Sequence, residues 1–545
     1  MSARKRMAIQ GMTCDHCERT VAAALERAGA QEIEVSYRAG EAVFRGGDDG
    51  RLAASVREAG YRPGAVEILG PQRVARGRDG SSAYDLLVLG SGSAAFAAAI
   101  RARDLGARVA LAEVGTVGGT CVNVGCIPSK ALLRAAELRH LAAAAPIPGL
   151  GLTAAPPDLA SIVAWKDGLV AQLRQQKYLD LVDVYGFELL SGRARFEGSD
   201  AVSVNGASVS AGAYLIATGA SPAAPPIPGL AEAGYLTSTT ALDVASPPRE
   251  LAVIGGNAIG LELGQYFARM GSRVTIVELL PRIAPFEEPE VSERLAAALA
   301  GEGIEILAGA NVESVTTAGG RKRLEIAFEG ARRTLEVDEL LVATGRRPNT
   351  AGLGLESAGV ALDARGAIVV DEYLRTTNEH VYAAGDVSGA PQFVYVAAYE
   401  GALAAENALD GAGRRVDLSA LPRVTFTSPQ VAAVGLTEQQ AREAAYAVKT
   451  SVLSLEHVPR AIVNGETGGV IKLVADAESD RLLGAHVLAE HAGEVIQAAT
   501  LAVKLGLTVS DLVDTFHPYL TIAEGLKLAA QTFERDVAQL SCCAA

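Results

Sequence analysis

The sequence predicts a multidomain α/β chain: a small βαββαβ module followed by two Rossmann-like nucleotide-binding halves. Three observations point there. Residues 5–69 alternate short strand and helix patterns in that order. An apolar strand over 84–89 runs into Gly90-Ser91-Gly92-Ser93-Ala94-Ala95 and a helical pattern, and the arrangement returns from 251 with Gly255-Gly256-Asn257-Ala258-Ile259-Gly260. In each copy an acidic residue, Glu113 or Glu278, closes the following strand 23 positions after the first glycine. One such turn is a weak signal; two with matched spacing and strand–turn–helix setting are specific.

The chain has 545 residues, room for several domains, and its 49% hydrophobic and 21% charged composition is that of a globular protein. A formal net charge of −14 argues against a nucleic-acid or anionic-membrane partner. No run of about 18 apolar residues occurs, so no membrane insertion is expected. The first six residues are basic but lack the apolar run of a signal peptide. The six cysteines fall into three pairs, Cys14/Cys17, Cys121/Cys126 and Cys542/Cys543. They read as redox or metal groups of a cytoplasmic protein rather than as a secreted disulfide frame.

In the front module the pattern predicts strands over 7–12 and 65–69, a hairpin over 32–37 and 41–45, and helices over 17–28 and 51–59. Its first loop reads Gly11-Met12-Thr13-Cys14-Asp15-His16-Cys17. Two cysteines at a helix start gain thiolate character from the helix N-terminus, which suits capture of a soft ion. A thioredoxin-like redox pair is the alternative, but the element order that follows is not that fold's. His16 reads as a solvated loop residue. The segment resembles the heavy-metal-associated domain, a ferredoxin-like fold, over residues 1–70; the resemblance implies that Cys14 and Cys17 bind metal. Residues 71–83 are small, polar and charged without periodicity, a tethering linker.

In the first nucleotide half, Gly90, Gly92 and Ala95 let the backbone approach a pyrophosphate at a helix N-terminus, and Glu113 sits where a ribose hydroxyl is held. Gly255, Gly260 and Glu278 repeat this, although Asn257 stands where the middle glycine would be and leaves less room for phosphate. Ala217-Thr218-Gly219 and Ala343-Thr344-Gly345 are parallel returns from the two halves. A strand and turn over 380–386 aims Asp386 at a cofactor. Two such sites in one chain predict one bound flavin and one exchanging nicotinamide.

Between the first half's acid and its next helix lies Cys121-Val122-Asn123-Val124-Gly125-Cys126-Ile127-Pro128-Ser129-Lys130. Four intervening residues let the thiols close as a disulfide within one helical turn. Gly118 and Gly119 hold that loop close to the first nucleotide, placing sulfur beside its ring. A disulfide there accepts two electrons from a flavin, and Lys130 puts positive charge near the ring. A purely structural disulfide is the plainer alternative.

From residue 84 onward the chain resembles the flavoprotein pyridine nucleotide–disulfide oxidoreductases, whose Gly-Gly-Thr-Cys-x4-Cys-x-Pro-Ser-Lys motif is matched at Gly118 to Lys130. The resemblance implies FAD in a domain over 84–233 and 351–420, with Gly119, Thr120, Thr218, Gly219 and Asp386 beside it, Asp386 on the ribityl chain. It implies a charge-transfer thiolate at Cys126, an exchanging thiol at Cys121, and a Lys130–Glu262 pair. It also implies an NAD(P)H domain over 234–350, reaching Gly345, and an α+β interface domain over 421–545 that builds a homodimer with an active site shared between subunits.

Disulfide-reducing members of that family carry His-Pro-Thr-x-Ser-Glu near the end, the Glu orienting a proton-shuttling His. Here the segment is His517-Pro518-Tyr519-Leu520-Thr521-Ile522-Ala523-Glu524, so Tyr519 falls where the base belongs and His517 is out of register. A missing proton shuttle suits a substrate with no thiol to protonate. Adjacent Cys542 and Cys543 have Cα atoms about 3.8 Å apart, too close for a relaxed bridge, but they offer two thiolates to a soft metal. The metal-reducing branch of the family combines these traits. The resemblance to it implies Hg(II), presented as a thiol complex and passed among the three cysteine pairs to leave as Hg(0), with Tyr178 and Tyr519 beside the metal. Tyr178 also reads as a core aromatic. NADPH is the donor that the resemblance implies, although Glu278 would repel a 2′-phosphate and favour NADH unless Arg282 compensates. Two other readings stay open: a lipoamide-type disulfide reductase using His517, and a thiol metallochaperone with an idle core.

Overall fold

The computed structural model describes residues 4–12, 15–37, 40–69, 82–144, 147 and 149–537. Cys14, Cys542, Cys543 and most of the 71–83 linker lie outside them. The chain divides into two compact units, the first made chiefly of residues 1–81.

The first unit is a four-stranded antiparallel sheet of order β2-β3-β1-β4, built from β1 (Arg4–Gln10), β2 (Ala30–Ser36), β3 (Glu41–Gly46) and β4 (Arg62–Leu69). Two helices, α1 (Asp15–Arg27) and α2 (Asp49–Glu58), complete the βαββαβ order. Alternation in β1 turns Met7 and Ile9 inward, and helical spacing does the same for Val21 and Leu25 and for Leu52 and Val56; with Phe44 they form the core. Asp48 caps α2 by accepting from the Arg51 N–H at 3.1 Å, and the Ser55 hydroxyl donates to the Ala24 carbonyl, tying the helices together.

The second unit opens with β5 (Tyr84–Leu89), α3 (Ser93–Asp104) and β6 (Val109–Glu113). Helices α4 (Gly119–Val124), α5 (Cys126–Ala144), α6 (Leu159–Arg174) and α7 (Asp180–Tyr185) lead to β7 (Glu188–Ser191), and β8 (Ala211–Ile216) follows. After β8 the chain leaves to build a second parallel sheet from β9 (Glu250–Ile254), β10 (Arg273–Glu278), β11 (Glu305–Ala308) and β12 (Glu339–Val342), with helices α8 (Ala258–Arg269) and α9 (Pro289–Gly301). It returns through β13 (Val381–Ala383), which joins the first sheet beside β8 and makes that nucleotide domain discontinuous. The sheet orders are β13-β8-β5-β6-β7 and β11-β10-β9-β12, parallel throughout. Strands such as 86–89 and 251–254 are apolar on both faces because helices or further layers cover both.

Helix α10 (Val394–Asp410) then leads to an antiparallel sheet of order β14-β15-β18-β17-β16. Its strands are β14 (Arg423–Thr425), β15 (Gln430–Gly435), β16 (Val448–Ser454), β17 (Val470–Asp476) and β18 (Leu482–Ala489). Helices α11 (Ala492–Leu505) and α12 (Glu524–Gln531) cover it through Val495, Ile496, Ala499, Leu526 and Ala530. The architecture is thus a ferredoxin-like module, two Rossmann-like domains and an α+β domain.

Candidate active site

Both glycine-rich turns are built for close backbone approach. A Cβ on Gly90 would sit 2.5 Å from the Ala217 carbonyl oxygen, and one on Gly255 would sit 2.5 Å from that of Ala343. The two Ala-Thr-Gly returns therefore pack on the two turns in the same way. Helices α3 and α8 begin at Gly92 and Asn257, neither of which caps the helix with its side chain. Their first N–H groups and the positive end of the helix dipole remain directed at the turn, as an anionic pyrophosphate requires. Asp158, by contrast, caps α6 from its own carboxylate. The acids fold onto their turns: Glu113 accepts from the Ser91 hydroxyl at 2.6 Å, and Glu278 from the Gly256 N–H at 2.6 Å and the Leu280 N–H at 2.7 Å.

The remaining nucleotide residues fall around these turns. Ala95 is fully buried in the first turn of α3, and Gly260 sits with a would-be Cβ 1.9 Å from the Gly255 carbonyl. Gly119 approaches Gly92 so closely that a Cβ would lie 2.6 Å from its Cα. Thr120 is exposed beside it. The Thr218 hydroxyl donates to the Asn349 carbonyl at 2.8 Å and the Asn349 amide N–H donates to the Gly219 carbonyl, so this return ties the two nucleotide domains together. Gly345 accepts from the Ala223 N–H in the neighbouring strand crossing. Asp386 occupies a single helical turn after β13, where burial raises its pKa and Arg346 Nε at 3.6 Å opposes the rise. A largely buried carboxyl beside Arg346, a close-packed glycine cradle and two uncapped helix starts fit FAD in the first domain and a nicotinamide nucleotide in the second.

The redox pair departs from the expected geometry in one respect. Cys121 and Cys126 do not share one helical turn: α4 ends at Val124, and Cys126 starts α5. The break is Gly125, whose φ of −132° and ψ of −116° turn the chain while a Cβ there would crowd the Thr120 carbonyl at 2.9 Å. A short helix and a long one meeting at a glycine bring the thiols together as hydrogen-bonded free cysteines. The Cys121 thiol's hydrogen bond, helped by the Lys130 ammonium, lowers the Cys126 pKa to about 7, whereas donating to that thiolate and being buried push Cys121 up. Cys126 is therefore the more acidic thiol of the pair, the one that ionises first.

Around the thiols, Tyr178 stands on a π-turn (Gln175–Leu179) between α6 and α7, a distortion often found at functional sites. Its ring packs edge-on to Phe96 at 4.8 Å, and its phenol lies between Ser93 and the thiols, with a pKa raised by burial and by those thiols. It is both a packed aromatic and a neighbour of sulfur. Lys130 Nζ lies 2.7 Å from buried Glu262 and 4.6 Å over the Phe426 ring, while the other Glu262 oxygen accepts from the Phe426 N–H at 2.8 Å.

Reading the sequence singled out neither Asn123 nor Tyr395. Asn123 sits inside the motif gap; its amide donates to the Val117 and Gly119 carbonyls at 3.0 and 2.8 Å and fixes the turn that leads into the helix bearing Cys121. Tyr395 donates to the Pro422 carbonyl and lies within electrostatic reach of Cys126. An amide between two motif cysteines was a visible signal; Tyr395 had none.

Tyr519 is half-exposed on the turn before α12. His517 Nδ1 lies 3.1 Å from the Thr515 carbonyl, and Glu524 accepts from the Leu520 N–H. Each side chain is engaged with backbone rather than with the other. Arg282 likewise donates to the carbonyls of Pro285 and Glu287 at 3.0 Å each. Cys17 is half-buried at the start of α1, and its partner Cys14 lies outside the described residues.

Residues 84–401 match the pyridine nucleotide-disulphide oxidoreductase family, residues 421–530 its dimerisation domain and residues 6–62 the heavy-metal-associated domain. The chain is 52% identical to a mercuric reductase of Bacillus cereus, covering 99% of this chain and 87% of that one. It is 51% identical to one of Staphylococcus aureus, covering 99% of each, and 44% identical to one of Shigella flexneri, covering 98% and 99%. Among solved structures it is similar to the Cu(II) complex of the HOCl-induced flavoprotein disulfide reductase RclA from Escherichia coli, with a TM-score of 0.74 and 32% identity over 82% of this chain and 99% of that one.

Proposed function

The chain belongs to the pyridine nucleotide-disulphide oxidoreductases, and from that premise we infer that it reduces Hg(II) to volatile Hg(0) with electrons from NAD(P)H. The observation that carries this reading is a low-pKa Cys126 paired with Cys121 beside Tyr178, in a chain where His517 and Glu524 each bond to backbone and not to one another. The mercuric reductases that match it from end to end give the substrate. The balance is NAD(P)H + Hg(II) → NAD(P)+ + H+ + Hg(0), two electrons in and two out.

The first glycine turn, Glu113, Gly119 and Asp386 would hold FAD, and the second turn with Glu278 would hold the nicotinamide nucleotide. When bound, FAD supplies the two-electron relay between nicotinamide and sulfur. The chain's own groups do the rest. Thiolate exchange moves Hg(II), each incoming sulfur replacing one already bound, so no ion need be free in water. We assign collection to Cys14 and Cys17. Delivery falls to Cys542 and Cys543 of one subunit, and the final site to Cys121 and Cys126 of its partner in a cytoplasmic homodimer. Cys126, the more acidic thiol of the pair, is the first to bind metal as thiolate; Cys121 gives up its proton as it follows. Tyr178, and Tyr519 from the other subunit, flank the metal. Hg(0) has little affinity for thiolate and departs. Lys130, fixed by Glu262 and Phe426, holds positive charge beside the thiolate.

The donor we assign is NADPH, on the family resemblance; Glu278 argues for NADH, and the ratio of kcat/KM for the two nucleotides decides. A lipoamide-type reductase would need a base held by a carboxylate, and His517 has a backbone carbonyl instead. The test is loss of reduced-nicotinamide absorbance with HgCl2 and excess small thiol, volatile mercury being trapped. Oxidation that depends on Hg(II) and releases Hg(0) is the expected result; flavin reduction with no Hg(II)-dependent turnover overturns the reading.

A further inference from the structure

The segment 279–288 connects β10, whose last residue is Glu278, to α9. It forms one wall of the second nucleotide turn. The Ala284 N–H donates to the Gly256 carbonyl at 2.7 Å, and a Cβ on Gly256 would sit 3.0 Å from the Ile283 side chain. Arg282 stiffens the segment from within by donating to the Pro285 and Glu287 carbonyls. Ala284 holds a φ of 43°, a costly conformation for a residue with a side chain. Something must keep it there.

Part of the hold is local, the Ser292 hydroxyl donating to the Ala284 carbonyl at 3.0 Å; a second hold, on the segment's far end, comes from the interface domain. Arg423 of β14 grips Glu287 through two bonds, of 2.7 and 3.0 Å. Lys472 of β17, 2% exposed, donates to Glu288, Glu290 and Glu438 at 2.9 Å each. Glu288 also accepts from the Glu438 N–H. His486 of β18 lies 3.8 Å from Glu288 and, kept neutral by burial, adds no competing charge. Buried charges are retained at a cost unless fully paired, and here the pairings with Glu287 and Glu288 act on the far end of the wall.

We propose that Arg423 and Lys472 are positioning residues for the nicotinamide nucleotide: through Glu287 and Glu288 they fix the 279–288 wall against the glycine turn. The nucleotide site of one domain is then completed by a clamp from another. This rests on the second site binding NAD(P)H, as proposed above.

The test measures nucleotide binding to the flavin-loaded enzyme, and flavin reduction by NADPH, both without Hg(II). Arg423→Gln should raise the Kd about tenfold, the equivalent of ~1.4 kcal/mol, while the limiting rate of flavin reduction stays within about twofold and flavin content is unchanged. Arg423→Lys, keeping the charge but not the two-pronged grip, should fall between. Lys472→Met should act like Arg423→Gln; if it fails to retain flavin, Arg423→Gln alone decides. A lowered melting temperature with Kd unmoved overturns the clamp and leaves these residues as mere struts. Because no mercury enters, a parent that binds nucleotide but lacks Hg(II)-dependent turnover would sink the function reading while the clamp remains testable.

Discussion

Replacing Cys121 with Ala tests the origin of the Cys126 thiolate. In the parent its pKa is lowered from 9.0 to about 7, and the foremost cause is the hydrogen bond from Cys121, with Lys130 adding to it and burial opposing both. Ala removes that donor and leaves the burial, so the midpoint should rise by at least about one unit. At pH 7.5 a thiol of pKa near 7 is about three-quarters ionised, and one near 9 about 3%. The alkylation rate at a single pH would understate this change, because a thiolate of higher pKa is also the stronger nucleophile. The readout is therefore the midpoint of the rate against pH, followed with iodoacetamide and site-resolved mass spectrometry of the peptide containing Cys126. Cys121→Ser, whose hydroxyl still donates, should restore part of the shift. A Cys121→Ala midpoint still near 7 would refute the reasoning and move the credit to Lys130, which Lys130→Met would then reveal.

Other outcomes follow from the same geometry. Burial raises the Glu400 pKa from 4.5 to about 7, with the Gly385 N–H at 2.8 Å only partly offsetting it. The unfolded chain releases this proton near 4.5 and the native one near 7, so parent stability falls as pH climbs between them. Glu400→Gln should flatten melting temperature against pH in that window, and parallel slopes would rule the account out. Gly119→Ala, at φ 64° and against Gly92, should cost flavin retention after desalting; a parent-like flavin spectrum would mean that the two turns can part. Changing Cys542 and Cys543 to Ala should abolish turnover of thiol-bound Hg(II) with flavin content intact. Unchanged turnover would remove them from the delivery route.

Much of this was legible because it is local. The strand predicted over 84–89 matches β5, the strand expected to close at Glu113 is β6, and the front module's elements fall within a few residues of expectation, since apolar period and turn residues lie within each segment. The helix break at Gly125 was missed because four residues between cysteines also suit one continuous turn. The π-turn under Tyr178 gave no signal, because Gln175–Leu179 carries no glycine, proline or other residue that marks a change of helix type. The clamp was the least visible. Lys472 and Glu288 are 184 positions apart, and a lone lysine in an apolar strand reads as an outward-facing residue. Only the tertiary fold shows it 2% exposed among carboxylates. Lys130 and Glu262, 132 positions apart, were joined beforehand through the family motif rather than through spacing.

The two oxygens of Glu262 serve three domains: the carboxylate rises from the nicotinamide-domain helix, one oxygen takes the Lys130 ammonium behind the redox pair, and the other takes the Phe426 amide where the interface domain begins. Anyone splicing chimeras from this chain inherits that junction. A transplanted nicotinamide domain carries its own copy of the acid but meets a foreign lysine and a foreign backbone turn. Recombination points placed in the surface loops flanking a single domain would therefore cut through a shared ionic joint. Exchanges that move the helix of Glu262 together with both of its contacts keep it whole, which makes the joint, rather than the domain, the natural unit of transfer.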